Sequence, residues 1–189
     1  MVNKLTIWSF LEPLLYSQEF LHLAEISREL KSPHATVRKH LNEFEKQGIV
    51  IKKTKGRLTL YNVNYDNPLL FDYLTLSEKE RLIRKCQESL VLKEIVNFLH
   101  ELENKEILLF GSIAENSKKP NDIDILVIGK IKDSVKEEIK AFEKRFNLKF
   151  HIIDLDSLEQ VNKSLKEEII KKHLIIQGAE SIIKWMLAN

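Results

Sequence analysis

The stretch LLFGSIAENSKKPNDIDILVIG, Leu108 to Gly129, decides how this chain is read. Its second half, DIDILVIG, has the apolar run of a buried strand. Two aspartates, Asp122 and Asp124, open that strand one residue apart. A buried carboxylate is costly unless something neutralises it. Residues at i and i+2 of a strand point to the same face, so the two project together with Cα atoms about 6.5–7 Å apart. Carboxylates that close repel each other unless a cation sits between them. Magnesium suits an all-oxygen pair and commonly brings phosphate with it. Upstream, the apolar strand EILLF runs into Gly111-Ser112. A glycine lets the backbone turn sharply and approach a ligand. Backbone N–H groups opening the next helix can hold phosphate, and the Ser112 hydroxyl adds a hydrogen bond. Together these features point to a metal-bound triphosphate between a phosphate-gripping turn and two metal ligands.

Around this stretch the sequence alternates strands and helices. The spacing predicts a helix over Asp133–Phe146, a strand over Leu148–Asp154, a helix over Ser157–Lys172, a short strand LIIQG and a closing helix AESIIKWML. Strands separated by helices indicate a layered sheet with helices packed on it. Upstream, Asn67-Pro68 signals a turn. Ser77 with Glu80 three residues later fits a capping box and predicts one long lead helix over 77–104. The expected division is 1–75 and 76–189.

The first 75 residues read differently. Helical periodicity covers Lys4–Tyr16, and HLAEISREL is a short amphipathic helix closed by KSP at Lys31–Pro33. HATVRKHLNEFEKQG, His34 to Gly48, is a longer helix with Val37, Leu41 and Phe44 on one stripe and Gly48 as its cap. IVIKKTKGRLTLYNVN then forms a hairpin with a basic tip at Lys55-Gly56. Two helices joined by a turn and followed by a basic hairpin are winged helix-turn-helix geometry. The solvent face of the second helix offers His34, Thr36, Arg38, Lys39 and His40. The hairpin offers Lys52, Lys53, Lys55 and Arg57, four cations that repel one another unless an anion compensates. The phosphate backbone of DNA is the obvious anion, although winged helices also serve as protein-docking modules.

Bulk properties set the bounds. The chain has 189 residues, 43% hydrophobic and 31% charged, with a net charge of +2. Residues 1–75 carry 10 Lys+Arg against 8 Asp+Glu and the remainder 20 against 20, so the excess lies in the N-terminal part. A single cysteine, Cys86, excludes a disulfide framework or a cysteine zinc cluster. It is expected to be inert, and Trp8 and Trp185 to be packing residues. No apolar run is long enough for a membrane span. The opening apolar segment, broken by Glu12 and Pro13, lacks a signal peptide's features. A soluble cytoplasmic protein is expected.

Two resemblances follow. Ala24 to Val50, AEISRELKSPHATVRKHLNEFEKQGIV, resembles the winged helices of bacterial and archaeal transcriptional regulators. That implies DNA binding, transcription regulation and a homodimer. LLFGS-I-A-ENSKKPN-DID-ILV, with Ala114 as the small residue, resembles the minimal (MNT-type) nucleotidyltransferases of the DNA polymerase beta superfamily. The likeness covers about residues 85–189, including the tail KKHLIIQGAESIIKWM. It implies an α+β chain, a winged helix-turn-helix followed by a small mixed-sheet nucleotidyltransferase domain with flanking helices. Gly111 and Ser112 would hold nucleotide phosphates, Asp122 and Asp124 would ligate Mg2+, and the nucleotide would be an NTP, ATP first. A nucleoside monophosphate would pass to a hydroxyl, such as a tyrosine of a HEPN-type toxin partner. One departure stands out. The family's third carboxylate falls at His151, which can act as a base but is a poor magnesium ligand. Asp154, three residues on, faces the other side of a regular strand unless a bulge brings it round. The alternative is a non-catalytic transcriptional regulator whose degenerate C-terminal domain senses nucleotide.

Overall fold

The computed structural model describes residues 5–17, 19–103, 106–115 and 122–188. The chain folds as two units, residues 1–80 and 81–189, and the division falls inside helix α3, Leu70–Glu88. The architecture is α+β: a helix-turn-helix region, then a mixed-sheet domain with flanking helices.

In the first unit β1 (Leu21–His22) leads into α1 (Leu23–Glu29), and a turn leads to α2 (His34–Lys46). The hairpin β2 (Val50–Lys55) and β3 (Leu58–Val63) follows, and β1 pairs with β3 to give the order β1-β3-β2. His22 Nδ1 accepts the Ala24 N–H at 3.2 Å while Glu25 accepts the His22 N–H at 2.7 Å, a reciprocal cap that starts α1. Val37, Leu41 and Phe44 are fully buried, as their spacing predicts. Gly48, at φ +71°, ends α2, and Ile49 N–H donates back to the Phe44 carbonyl at 2.9 Å.

Four local expectations are corrected. The helix over Lys4–Tyr16 is, among its described residues, a 3-10 helix, Trp8–Leu14, with Pro13 inside it. Pro13 has no N–H to give an α-helical ladder. Ser77 does not open a helix: α3 already starts at Leu70, where Asn67 Oδ1 accepts the Leu69 N–H at 2.8 Å. Ser77 is fully buried and donates to the Trp8 carbonyl at 3.1 Å, so its hydroxyl serves tertiary packing. The long lead helix is two helices. Ser89, extended, stops α3 and caps α4 (Leu90–His100) by accepting the Leu92 N–H at 3.2 Å; residue 104, its expected end, lies outside the described residues. The helix over Ser157–Lys172 is likewise split. A 3-10 turn, Leu158–Gln160, precedes α7 (Lys163–Lys171), which Asn162 caps.

The second unit holds β4 (Glu106–Phe110), α5 (Ser112–Glu115), β5 (Asp122–Ile128), α6 (Asp133–Phe146), β6 (Lys149–Leu155), β7 (His173–Gln177) and α8 (Ala179–Leu187). Its sheet has the order β6-β5-β4-β7, with β5 parallel to β6 and antiparallel to β4. Ile107, Leu109, Ile123, Ile125 and Val127 face a core shared with Leu92, Ile95 and Leu99 of α4 and Ile139 of α6. Alternation along β5 therefore puts Asp122 and Asp124 on the opposite face. Among the described residues no helix is long and apolar enough to cross a membrane.

Candidate functional site

The centre of the site is the junction of β4, the turn at Gly111 and the start of β5. Antiparallel pairing sets Phe110 opposite Asp124. Gly111 follows with φ +69°, a conformation L side chains rarely adopt. A Cβ at Gly111 would lie 2.7 Å from Asp124 Oδ2. Glycine is therefore required twice here, by backbone geometry and by the carboxylate that fills the space. Asp124 is half-buried while Asp122, one turn of the pleat toward the strand's start, is exposed. Ser112, the first residue of α5, is also exposed, and Ala114 is buried.

The neighbouring strand supplies His151. The parallel register sets it beside Asp124, with Nδ1 3.4 Å from Asp124 Oδ1. The ladder runs without a shift from Asp122↔Lys149 to Ile128↔Leu155, so no bulge turns Asp154 round. Asp154 pairs with Val127, a residue of the core face, and lies on the other side of the sheet from Asp124. Asp122, Asp124 and His151 thus share the face, with Lys149 beside Asp122, and Asp122 and Asp124 are the candidates for a metal. Among the described residues no three His, Cys, Asp or Glu side chains form a ready cage.

Sequence reasoning did not single out the basic flank of this site. The Gly111 N–H donates to the Lys172 carbonyl at 3.2 Å, which ties the turn to the end of α7. A cleft of about 380 Å³ opens there, lined by Gly111, Ser112, Glu115, Glu168, Lys171 and Lys172. Lys172 Nζ donates to Glu115 Oε2 at 2.6 Å, and Lys85 Nζ donates to the Glu115 carbonyl at 3.1 Å. The Lys172 hydrogen bond holds the Glu115 carboxyl below the usual carboxylate range. The Lys171-Lys172 pair stood in the quoted tail, but nothing in its spacing tells which strand it adjoins.

In the first unit, His34, Thr36, Arg38 and Lys39 are all exposed on α2. His40 is not a free solvent group: its ring stacks on Phe10 with centroids 4.2 Å apart. Two of the four hairpin cations are engaged. Lys52 donates to Glu45 Oε2 at 2.6 Å, a bond that raises its pKa, and Lys53 sits 4.1 Å from the centre of the Phe20 ring. Lys55 and Arg57 are exposed and make no ion pair among the described residues. Burial holds the Tyr61 hydroxyl above its ordinary range, while the charges of Lys52 and Arg38 act against it.

Comparison with known proteins identifies both parts. The model of the nucleotidyltransferase domain matches residues 91–185, half of the chain. The chain belongs to the nucleotidyltransferase domain family. A DeoR-like helix-turn-helix domain matches residues 10–63 of this nucleotidyltransferase-domain protein. No curated protein matches it. Among solved structures, a toxin-antitoxin with AMP-PNP is 18% identical over 50% of this chain and 80% of that one, with a TM-score of 0.38. Two mutant forms of the toxin-antitoxin MntA-HpeT are 17% and 15% identical over 50% of this chain and 79% and 80% of theirs, with TM-scores of 0.38 and 0.37.

Proposed function

We propose that this chain transfers a nucleoside monophosphate from an NTP to a hydroxyl at the Gly111–Asp124 site, and that its N-terminal unit binds DNA. The observation that carries the reading is the fit of the bare Gly111 Cα against the Asp124 carboxylate. This fit sits inside the stretch that the family model matches. In this reading the acceptor oxygen attacks the α-phosphorus, its proton leaves to a base or water, and the α–β bridging bond breaks with its electrons on pyrophosphate. Asp122 and Asp124 suit magnesium as a partial oxygen set, which phosphate oxygens and water complete. When bound, the metal supplies charge neutralisation at the phosphates. Gly111 and Ser112 position the phosphates by backbone and hydroxyl. His151, whose Nδ1 lies 3.4 Å from Asp124 Oδ1, is the candidate base for the acceptor's proton.

The acceptor is tested with α-labelled NTPs. Label should pass to a hydroxyl-bearing partner, a HEPN-type protein first, and the transfer should stop in Asp124→Asn. Absence of label on any acceptor, with nucleotide still bound, would sink the transfer reading. One observation favours a second reading. His151 occupies the position beside Asp124 where a third carboxylate would stand. In that case the site senses nucleotide and changes the DNA affinity of the first unit, a coupling that nucleotide-dependent operator binding would reveal. On the DNA side, His34, Thr36, Arg38 and Lys39 would meet the groove, with Lys52, Lys53, Lys55 and Arg57 near the phosphates. A homodimer on a two-fold site is the arrangement this predicts.

A further inference from the structure

We infer that Lys172 is the cation that grips the outer phosphates of the nucleoside triphosphate, and that Glu115 holds it in their place until nucleotide arrives. This rests on the nucleotidyl-transfer reading of the Gly111–Asp124 site.

Three observations converge. The first is position. Gly111 abuts the Asp124 carboxylate on one side, and its N–H is bonded to the Lys172 carbonyl on the other. The Lys172 side chain therefore starts at the same turn that meets the metal-ligand candidate. The second is space. The cleft at this turn, about 380 Å³, is lined by Gly111, Ser112, Lys171 and Lys172 together with the carboxylates Glu115 and Glu168, and sites that hold small molecules start at about 300 Å³. A chain of phosphates leaving Asp124 along this turn runs into the cleft. The third is charge. Lys172 Nζ and Lys85 Nζ both donate to Glu115, to its carboxylate and its carbonyl respectively. An ammonium that already holds an oxyanion at 2.6 Å has the geometry that a phosphate oxygen needs.

The pair is also built to let go. The side chains of Lys172 and Glu115 are 48% and 64% exposed. An exposed pair of this kind is weak, so a polyanion held by a metal at its other end displaces the carboxylate. Lys172 then neutralises the β- and γ-phosphates, and during transfer it stays with the departing pyrophosphate. Glu115, released, becomes a like charge beside the phosphates and limits how tightly they are held. The expected specificity is for the number of phosphates, since the base makes no contact with this cation.

The test is calorimetric titration of the four ribonucleoside triphosphates and their monophosphates, each with magnesium, into the full chain. Wild type, Lys172→Gln, Lys172→Arg, Glu115→Gln and Asp124→Asn are compared. Loss of one charge-assisted contact predicts triphosphate binding weakened by about 10- to 100-fold in Lys172→Gln. Monophosphate binding should stay as in wild type. Lys172→Arg should retain most of the affinity, and Glu115→Gln should bind triphosphate more tightly. Lys172→Gln that binds triphosphate as well as wild type, while Asp124→Asn does not bind, would overturn the assignment of Lys172 and leave the site reading standing. Equal weakening for mono- and triphosphate would overturn it too, since that marks a structural role. Wild type that binds no triphosphate would overturn both.

Discussion

Substituting Gly111 by alanine tests the geometry at the centre of this account. Two costs are expected, and the structure separates them. The left-handed backbone at φ +69° costs an L residue about 1–2 kcal/mol. The new Cβ would also stand 2.7 Å from Asp124 Oδ2, too close for both to stay. The carboxylate must swing off its rotamer, at about 0.5–1.5 kcal/mol. The expected loss of stability in the 81–189 unit is therefore about 1.5–3.5 kcal/mol. Gly56→Ala is the control, because Gly56 has φ +61° but nothing within 4 Å of its missing Cβ. It should show the backbone cost alone, in the first unit. Trp8 lies in one unit and Trp185 in the other. Urea unfolding followed by fluorescence in Trp8→Phe and Trp185→Phe backgrounds thus reads each unit separately. Combining Gly111→Ala with Asp124→Ala should bring its cost down to that of Gly56→Ala. Equal costs for the two glycines in the wild-type background, or no relief from Asp124→Ala, would refute the reasoning that Gly111 is kept small by Asp124.

Other consequences are as direct. Ser89→Ala removes the cap between α3 and α4 and should destabilise the second unit by about 1 kcal/mol in the same urea assay. An unchanged midpoint would show that α4 starts without it. Lys55→Ala with Arg57→Ala should lower the slope of log affinity against log salt for operator DNA by about 2, one for each phosphate lost. A slope that does not change would remove the hairpin tip from the DNA interface. His151→Asp should repel Asp124 in the absence of metal and lower the melting temperature, and magnesium should restore it. A melting temperature indifferent to magnesium in that variant would count against a metal on this face.

Much of the fold was legible because the sequence places its strongest signals where local and tertiary forces agree. DIDILVI reads as a strand, and Asp122–Ile128 is one, because its apolar residues are buried. The amphipathic run Asp133–Phe146 likewise forms α6. The failures fall where a side chain serves a tertiary partner. Ser77 looks like a helix cap and is instead a buried donor to Trp8, 69 residues away. Ser89, between Gln87-Glu88 and the apolar Leu90-Val91-Leu92, ends a helix that periodicity alone would continue. Within the site, the neighbourhood of Gly111 and Asp124 follows from two strands joined by a short connection. The Lys172–Glu115 contact does not, because it spans 57 residues and exists only because β7 pairs with β4. The engagement of Lys52 by Glu45, only 7 residues apart, is hidden because it joins the end of α2 to the hairpin strand β2. A cluster of cations in sequence does not show which of them already have anionic partners.

The most direct test of the central claim is titration of magnesium with each NTP into the wild-type chain and into Asp124→Asn. The account predicts metal-dependent nucleotide binding in the wild type that the substitution abolishes. Nucleotide binding that is the same in both, or none in the wild type, would contradict it.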